Sequence, residues 1–394
     1  MGRQEARSGV WAIEGDHTGN NGIIREIRSS GRVTFARYME LALYHPVEGY
    51  YLREGDLIGA AGDFYTSPDV TPLFGKVLAD QMAEMWSLAG RPGGWTLLEF
   101  GAGKGLLARD LLQHTAEKHP VFHQALEYLI IDQSPAMVRR QEEMLSGVSA
   151  PGGGIRWLPG LKDLPGGITG CIFSNELLDA FPVHRLVRCG GRTQEIYVTW
   201  ENGGLREVTG EPSCKELLDY LSDTGADLEE GQQVEINLAL RGWLEKVARY
   251  LNRGFLLTID YGDTAGRLHS PERPNGTIRA YSKHRLADLY QNPGCQDLTA
   301  NVNFSDLFRW GEDYGLKQAG YAFQMYFLLN LGILEYLEPQ GQGFDLQRSK
   351  ETMAVKKLVM PEGMGTLFKV AVQYKGFDQK PELAGYYGKY GARG

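Results

Sequence analysis

The stretch Trp95 to Leu112, WTLLEFGAGKGLLARDLL, constrains this chain more than any other. Its apolar run over 95–100 reads as a buried strand with Glu99 near the end. Gly101, Ala102, Gly103, Lys104 and Gly105 follow, and then Leu106, Leu107, Leu111 and Leu112 recur at helical spacing. A strand, a glycine turn and a helix open a βαβ unit, which points to an α/β fold with a mostly parallel sheet. Glycines let the turn approach a ligand closely, and the free N–H groups of the helix start face that ligand.

The ligand can be narrowed. A phosphate loop needs Ser or Thr after Gly-Lys, and here Gly105 and Leu106 follow Lys104. The dinucleotide pattern G-x-G-x-x-G fails because the third glycine comes one residue early. Glu99 followed by G-x-G-x-G resembles motif I of the class I S-adenosylmethionine (SAM) methyltransferases. A second apolar run, 128–131, ends in Asp132, with Gln133 after it. An acidic residue at that strand tip can accept hydrogen bonds from ribose hydroxyls, a device that NAD enzymes also use. Asp132 therefore indicates a nucleoside, and the glycine spacing disfavours an NAD-dependent dehydrogenase.

Composition bounds the rest. The 394 residues suffice for two domains or one decorated domain. Hydrophobic residues at 42% and charged residues at 23% fit an ordinary globular protein. A net charge of −8 argues against bulk nucleic-acid binding. Cys171, Cys189, Cys214 and Cys295 form no C-x-x-C, so neither a zinc centre nor a disulfide scaffold is indicated, and no metal is expected. No apolar run is long enough for a membrane span, and the first residues lack the apolar core of a signal peptide. A bacterial cytoplasmic protein is the expectation.

In chain order, residues 1–20 read as a flexible lead and 21–92 as a helical lid region, with helices at 23–30, 35–44 and 72–88. Residues 93–374 form the main α/β domain, with insertions at about 183–230 and 263–340. The alternating stretches 184–189 and 195–200 around Gly190-Gly191 predict a hairpin. Residues 234–251 read as one amphipathic segment, 255–259 as a strand, and 263–275 as a long loop. The Gly- and Tyr-rich tail, 375–394, is expected to be loose. Glu99 to Gly105, Asp132, Asn175 to Asp179 and Asp260 to Gly262 all fall at strand ends, where such sheets bind ligands.

Several stretches together resemble the MidA-like methyltransferases, a family that includes a mitochondrial complex I assembly factor. They include FARYMELALYHPVEGYY, GDFYTSPDVTPLFG, LLEFGAGKG, FSNELLDAFPVHRLV, LLTIDYGD, GTIRAYSKH and MPEGMGTLFKV, spanning about residues 35 to 372 in family order. The resemblance implies a class I SAM-dependent methyltransferase fold, Rossmann-like, with a seven-stranded sheet, one strand of it antiparallel, and extra helices. It also implies SAM as cofactor, with Asp63, Thr66 and Ser67 over its methionine end, and makes a homodimer plausible. The mitochondrial member is an arginine methyltransferase acting on a complex I subunit, so a protein substrate of that kind is the first expectation. Asn301 and Asn303 stand where the family often has His and Asp, and Asp69 where it often has Glu. The first two changes remove a possible base and a charge.

Methyl transfer from a sulfonium needs a nucleophile aligned behind the methyl. An arginine acceptor is protonated at neutral pH, and forked carboxylate pairing can orient it. Glu176 and Asp179, three apart on an expected short helix, are the candidates for catalysis and substrate binding. Asn175 is placed for the cofactor or the nucleophile, and Asp260 and Tyr261 for the pocket wall. His184 is the nearest histidine able to take a proton, with His284 as an alternative; a capping or packing role is open for each. Two other readings stay open: a small-molecule O- or N-methyltransferase on the same scaffold, and a non-catalytic assembly factor that binds a partner protein.

Overall fold

A computed structural model describes residues 21–53, 66–164, 166–337 and 346–390. Its centre is a twisted sheet whose strands, in chain order, are β1 (Trp95–Phe100), β2 (Leu126–Ile131), β3 (Gly154–Leu158), β4 (Ile168–Asn175), β5 (Leu251–Asp263), β6 (Lys317–Phe323) and β7 (Phe368–Lys375). They lie in the order β6-β7-β5-β4-β1-β2-β3, and the two-residue strand Val302–Asn303 pairs with the end of β5. β7 runs antiparallel to β5 and β6, while the β5-β4, β4-β1, β1-β2 and β2-β3 pairs are parallel. The expected seven-stranded sheet with one reversed strand is present.

Alternation along the strands supplies both faces. Leu97, Tyr128, Cys171, Phe173, Phe255 and Leu257 point to a core covered by helices Leu73–Leu88 and Leu106–Lys118. Leu98, Leu129, Ile172 and Leu256 point to the other, covered by helices Leu238–Tyr250 and Phe304–Asp313. Thr96, Gly170 and Gly254 lie abreast in β1, β4 and β5. A Cβ at Gly170 would meet the Thr96 carbonyl oxygen at 1.9 Å, so only glycine fits there.

A second, antiparallel sheet holds the expected hairpin, His184–Cys189 with Arg192–Glu201, flanked by Gly204–Gly210 and Gln233–Ile236. Its outer edge is Arg32–Thr34 from the N-terminal region. Helices Gly22–Ser30 and Phe35–Tyr44 pack on this sheet through Ile23, Ile27, Phe35, Tyr38 and Val198. The lid region is thus continuous with the insertion, a pairing of segments about 160 positions apart that periodicity cannot show.

Several expectations are corrected. Residues 234–251 are a strand and then a helix, because Asn237 ends the strand and caps Leu238–Tyr250 by accepting from Leu240 N–H at 2.9 Å. The strand expected at 255–259 runs from Leu251 to Asp263. The loop after it contains helix Ala265–Leu268. The insertion placed at 263–340 is shorter, since helix Phe304–Asp313 and β6 belong to the main α/β layer. The expected flexible lead, 1–20, lies outside the described residues.

The tail is not loose through residue 390. Leu383 and Tyr386 are buried, Tyr386 stacks obliquely on Phe327 with centroids 5.3 Å apart, and its hydroxyl donates to Val370 O at 3.1 Å. Gly320 leaves room for the ring: a Cβ there would sit 2.2 Å from Tyr386 Cδ2. Burying such a ring contributes several kcal/mol, enough to order a glycine-rich segment. Tyr386→Ala is expected to lower unfolding free energy by about 3 kcal/mol in urea titration; a change below about 0.5 kcal/mol, the size of an ordinary surface substitution, would mean the tail does not contribute.

Candidate functional site

The carboxyl ends of β1, β2 and β4 open into one cavity of about 690 Å³. Gly101, Gly103 and Gly105 all have positive φ, at 65°, 52° and 81°, and this left-handed path wraps the turn around the cavity floor. Gly101 N–H is held by Ile131 O at 2.9 Å, which ties the turn to the end of β2. Gly105 is the N-cap of helix Leu106–Lys118, and Gly101, Ala102, Gly103 and Lys104 line the cavity.

The two acidic residues flank that turn. Glu99 lines the cavity but is 97% buried overall, and Tyr128 donates its hydroxyl to Glu99 Oε2 at 2.6 Å. Burial pushes its carboxyl up to about 7 against that hydrogen bond, with repulsion from Asp132 adding to the rise. Asp132 Oδ1 accepts from Ser134 N–H at 2.9 Å and Oδ2 from Gln141 Nε2 at 2.8 Å. Gln141 Nε2 also reaches Gly103 O at 2.9 Å, so one amide ties the Asp132 carboxylate to the glycine turn. A carboxylate offers about four acceptor sites, so Asp132 keeps capacity for two more donors. Gln133 lines the wall beside it.

At the end of β4, Asn175 and Glu176 reach the cavity. The expected helix bearing Glu176 and Asp179 on one face is absent. Glu176 has φ 53°, its N–H bonds to Ile259 O at 2.9 Å, and only a single 3-10 turn, Leu178–Ala180, follows. Such a conformation in a non-glycine residue is uncommon and is held here by its surroundings. Glu176 Oε1 accepts from Ser67 N–H at 3.1 Å and from Asn175 Nδ2 at 3.0 Å. Asn175 Oδ1 is buried with no partner among the described residues, an open acceptor beside the carboxylate. Burial first, then repulsion from Asp179 and Asp69, pushes the Glu176 carboxyl up to about 8 despite those two donors.

Asp179, Asp260 and Tyr261 lie behind the wall and do not line the cavity. Asp260 Oδ2 accepts from Leu177 and Leu178 N–H at 3.2 and 2.9 Å, and Oδ1 from Tyr261 N–H at 2.9 Å. The Tyr261 hydroxyl bonds to Asp179 Oδ2. Burial raises Asp179 to about 6 and raises Asp260 well above the carboxylate range, where Asp179 and Glu176 repel it further. These three residues brace the turn; the sequence placed them in the right neighbourhood and one layer too far forward.

His184 stands on the second sheet, its Nδ1 2.7 Å from Glu195 Oε1, and it does not line the cavity. His284 is exposed in the turn between Arg279–Ser282 and Arg285–Ala287. Neither fits the expected role of base. Thr66 lines the cavity, Ser67 contributes its backbone N–H, and Asp63 lies outside the described residues. Asp69 accepts from Lys104 at 2.7 Å and closes a capping box with Thr66. Asn303 is a helix cap, accepting from Ser305 and Asp306 N–H, and its Nδ2 donates to the Tyr220 hydroxyl at 3.1 Å.

Residues distant in sequence complete the wall: Tyr44 and Tyr51 from the N-terminal helices, and Phe181, Trp243 and Lys246 from the other side. Tyr44 donates to Ala180 O at 3.0 Å and Tyr51 to Asp297 at 2.8 Å. Nothing in a local window marks these residues, because tertiary packing alone brings them together.

Sheet order, glycine turn and acidic strand ends together define a class I SAM-dependent methyltransferase. Residues 77–322 match the family described as "putative S-adenosyl-L-methionine-dependent methyltransferase", and the chain belongs to that family. It is 30% identical over 337 residues to the protein arginine methyltransferase NDUFAF7, mitochondrial, of Xenopus tropicalis, covering 79% of this chain and 75% of that one. The Caenorhabditis elegans homolog of that protein is 28% identical over 374 residues, covering 88% and 84%. The crystal structure of a Burkholderia thailandensis protein bound to S-adenosyl-homocysteine superposes with a TM-score of 0.82 at 32% identity, covering 93% of this chain and 92% of that one. If Asp132 receives the ribose hydroxyls, Asp132→Ala should weaken SAM binding about ten- to a hundredfold by calorimetry, the worth of hydrogen bonds to a charged group. Unchanged affinity would place the ribose elsewhere.

Proposed function

We propose that this enzyme methylates an arginine side chain of a protein, with Glu176 as the residue that receives the guanidinium. The observation that carries this reading is the Glu176 carboxylate itself. It faces the cavity at the end of β4, anchored through Oε1 by Ser67 and Asn175, and has no cationic partner among the described residues. Its other oxygen makes no hydrogen bond to a described residue, which leaves a carboxylate that a forked guanidinium can pair with. The lining adds to this: Asp69 is paired with Lys104, Glu40 and Asp132 stand against Lys246, and Glu99 and Glu176 add negative charge as they ionise. Names of relatives support the acceptor type, since those quoted above are protein arginine methyltransferases.

The residues present suit SAM. The left-handed glycine turn and the N-terminus of helix Leu106–Lys118 would take its methionine part together with Thr66, and Asp132 and Gln133 would take the ribose and adenine. When bound, SAM supplies a methyl group on a sulfonium, electrophilic enough for direct in-line displacement. Glu176 then has two tasks. Pairing with one edge of the guanidinium fixes its plane and draws positive charge to that edge, which leaves the far nitrogen better able to attack. As the acceptor is methylated it must shed one proton overall, and an N–H on the edge paired with Glu176 can pass it to that carboxylate. Asp260 and Asp179 keep the turn rigid behind Glu176.

The test is transfer of labelled methyl from SAM into a lysate that lacks this protein, with wild type beside Glu176→Gln. Label recovered as methylarginine in a protein fraction, falling at least about a hundredfold in the variant, is the expected result. Label in a small molecule would overturn the protein reading. The pH profile gives an independent check. Guanidinium pairing needs Glu176 ionised, and it is protonated below about 8 in the free enzyme. kcat/KM is therefore expected to rise with pH from about 6 to 9, with a flattened limb in Glu176→Gln.

A further inference from the structure

A second cluster of donors lies away from the methyl-transfer cavity. Asp80 is in the middle of helix Leu73–Leu88, His114 is near the end of helix Leu106–Lys118, and His119 is that helix's C-cap. Asp80 Oδ1 is 2.9 Å from His114 Nε2 and 2.7 Å from His119 Nε2. All three donor atoms fall within 4.8 Å of one another. The Tyr336 hydroxyl bonds to Asp80 Oδ2 at 2.7 Å and lies 3.2 Å from His114 Nε2. One carboxylate oxygen is thereby turned toward both imidazoles while the other is held by the phenol. His114 is buried, and the cluster sits about 13 Å along its helix from the glycine turn.

We propose that Asp80, His114 and His119 bind one divalent transition-metal ion of the zinc type. Two imidazoles and a carboxylate are the donor set that zinc takes, with the fourth position left to water. Tetrahedral zinc bonds of about 2.0–2.1 Å set donor atoms about 3.3 Å apart. The two Asp80–imidazole separations of 2.9 and 2.7 Å need to open by about half an ångström, with the two imidazole nitrogens within 4.8 Å of each other, so the metal takes the place of the protons now shared in the hydrogen bonds. Tyr336 gives the ligating carboxylate the outer hydrogen bond such sites use. One further observation points to a cation. A separate cleft of about 320 Å³, lined by Asp80, Glu84, Gly332 and Glu335, opens onto Asp80 and provides an acidic way in. The ion would staple the two helices, to which the Tyr336 hydrogen bond already ties the turn Glu335–Leu337.

The proposal is independent of the methyl acceptor. The full-length protein, stripped with a chelator, is titrated with zinc chloride by calorimetry, then dialysed and assayed for bound zinc. Wild type is expected to retain about one more equivalent per chain than either His119→Ala or Asp80→Asn, both compared at equal SAM affinity as proof of folding. Zinc should also raise the unfolding temperature of wild type and of neither variant. Cobalt in place of zinc should give visible bands without a thiolate charge-transfer band. Equal zinc in all three proteins, no zinc in wild type, or a thiolate band pointing to Cys189 or Cys295 would overturn the proposal.

Discussion

The structure turns on the hydrogen bonds that Asp260 makes to the backbone N–H groups of Leu177 and Leu178. They bind the end of β5 to the turn after β4, and the turn in turn fixes Glu176 in a left-handed conformation at the cavity wall. A fully buried carboxylate is costly to ionise, and two more carboxyl groups stand beside it. That crowding is stable when protons or a bound cation are shared among the groups. The burial that comes with this bracing thus raises the carboxyl groups behind the turn toward their neutral form.

The wall itself is built from three layers of the chain. Sheet ends supply the glycine turn, Asp132 and Glu176; the N-terminal helices supply Tyr44 and Tyr51; helix Leu238–Tyr250 supplies Trp243 and Lys246. Trp243 meets Phe100 and Phe181 edge to face, at 5.5 and 6.0 Å, so one aromatic cluster spans the floor and the far wall. Acidic and aromatic side chains thus share one cavity wall.

Legibility from sequence followed how local each signal was. The strand, glycine turn and helix around residue 100 could be read because backbone conformation, apolar spacing and ligand chemistry are all encoded within 18 positions. Asp132 and the 184–201 hairpin could be read for the same reason. The helix expected at 176–179 failed because the Glu176 conformation is imposed by Ile259, Ser67 and Asp260, none of them neighbours in sequence. The strand Arg32–Thr34 was too short to show a period, and its partner lies far along the chain. The tail misled because its glycines suggested mobility, while Tyr386 fits a slot whose floor is Gly320. The Asp80, His114 and His119 cluster carries no spacing signature, since its ligands come from two helices and are not one turn apart.

The long reach of the wall contacts has a bearing on biosynthesis. Ser67 meets Glu176 across 109 positions, Tyr44 meets Ala180 across 136, and Tyr51 meets Asp297 across 246. A chain emerging from the ribosome can form β1, its glycine turn and β2 early, but it lacks a closed pocket until about residue 300 has cleared the exit tunnel. Contacts across such separations are costly to close, so the pocket assembles after the local strand–turn–helix unit. A cofactor that needs the closed pocket cannot guide the nascent chain; it can only hold the finished one, by the mass-action stabilisation that any ligand of the native state provides.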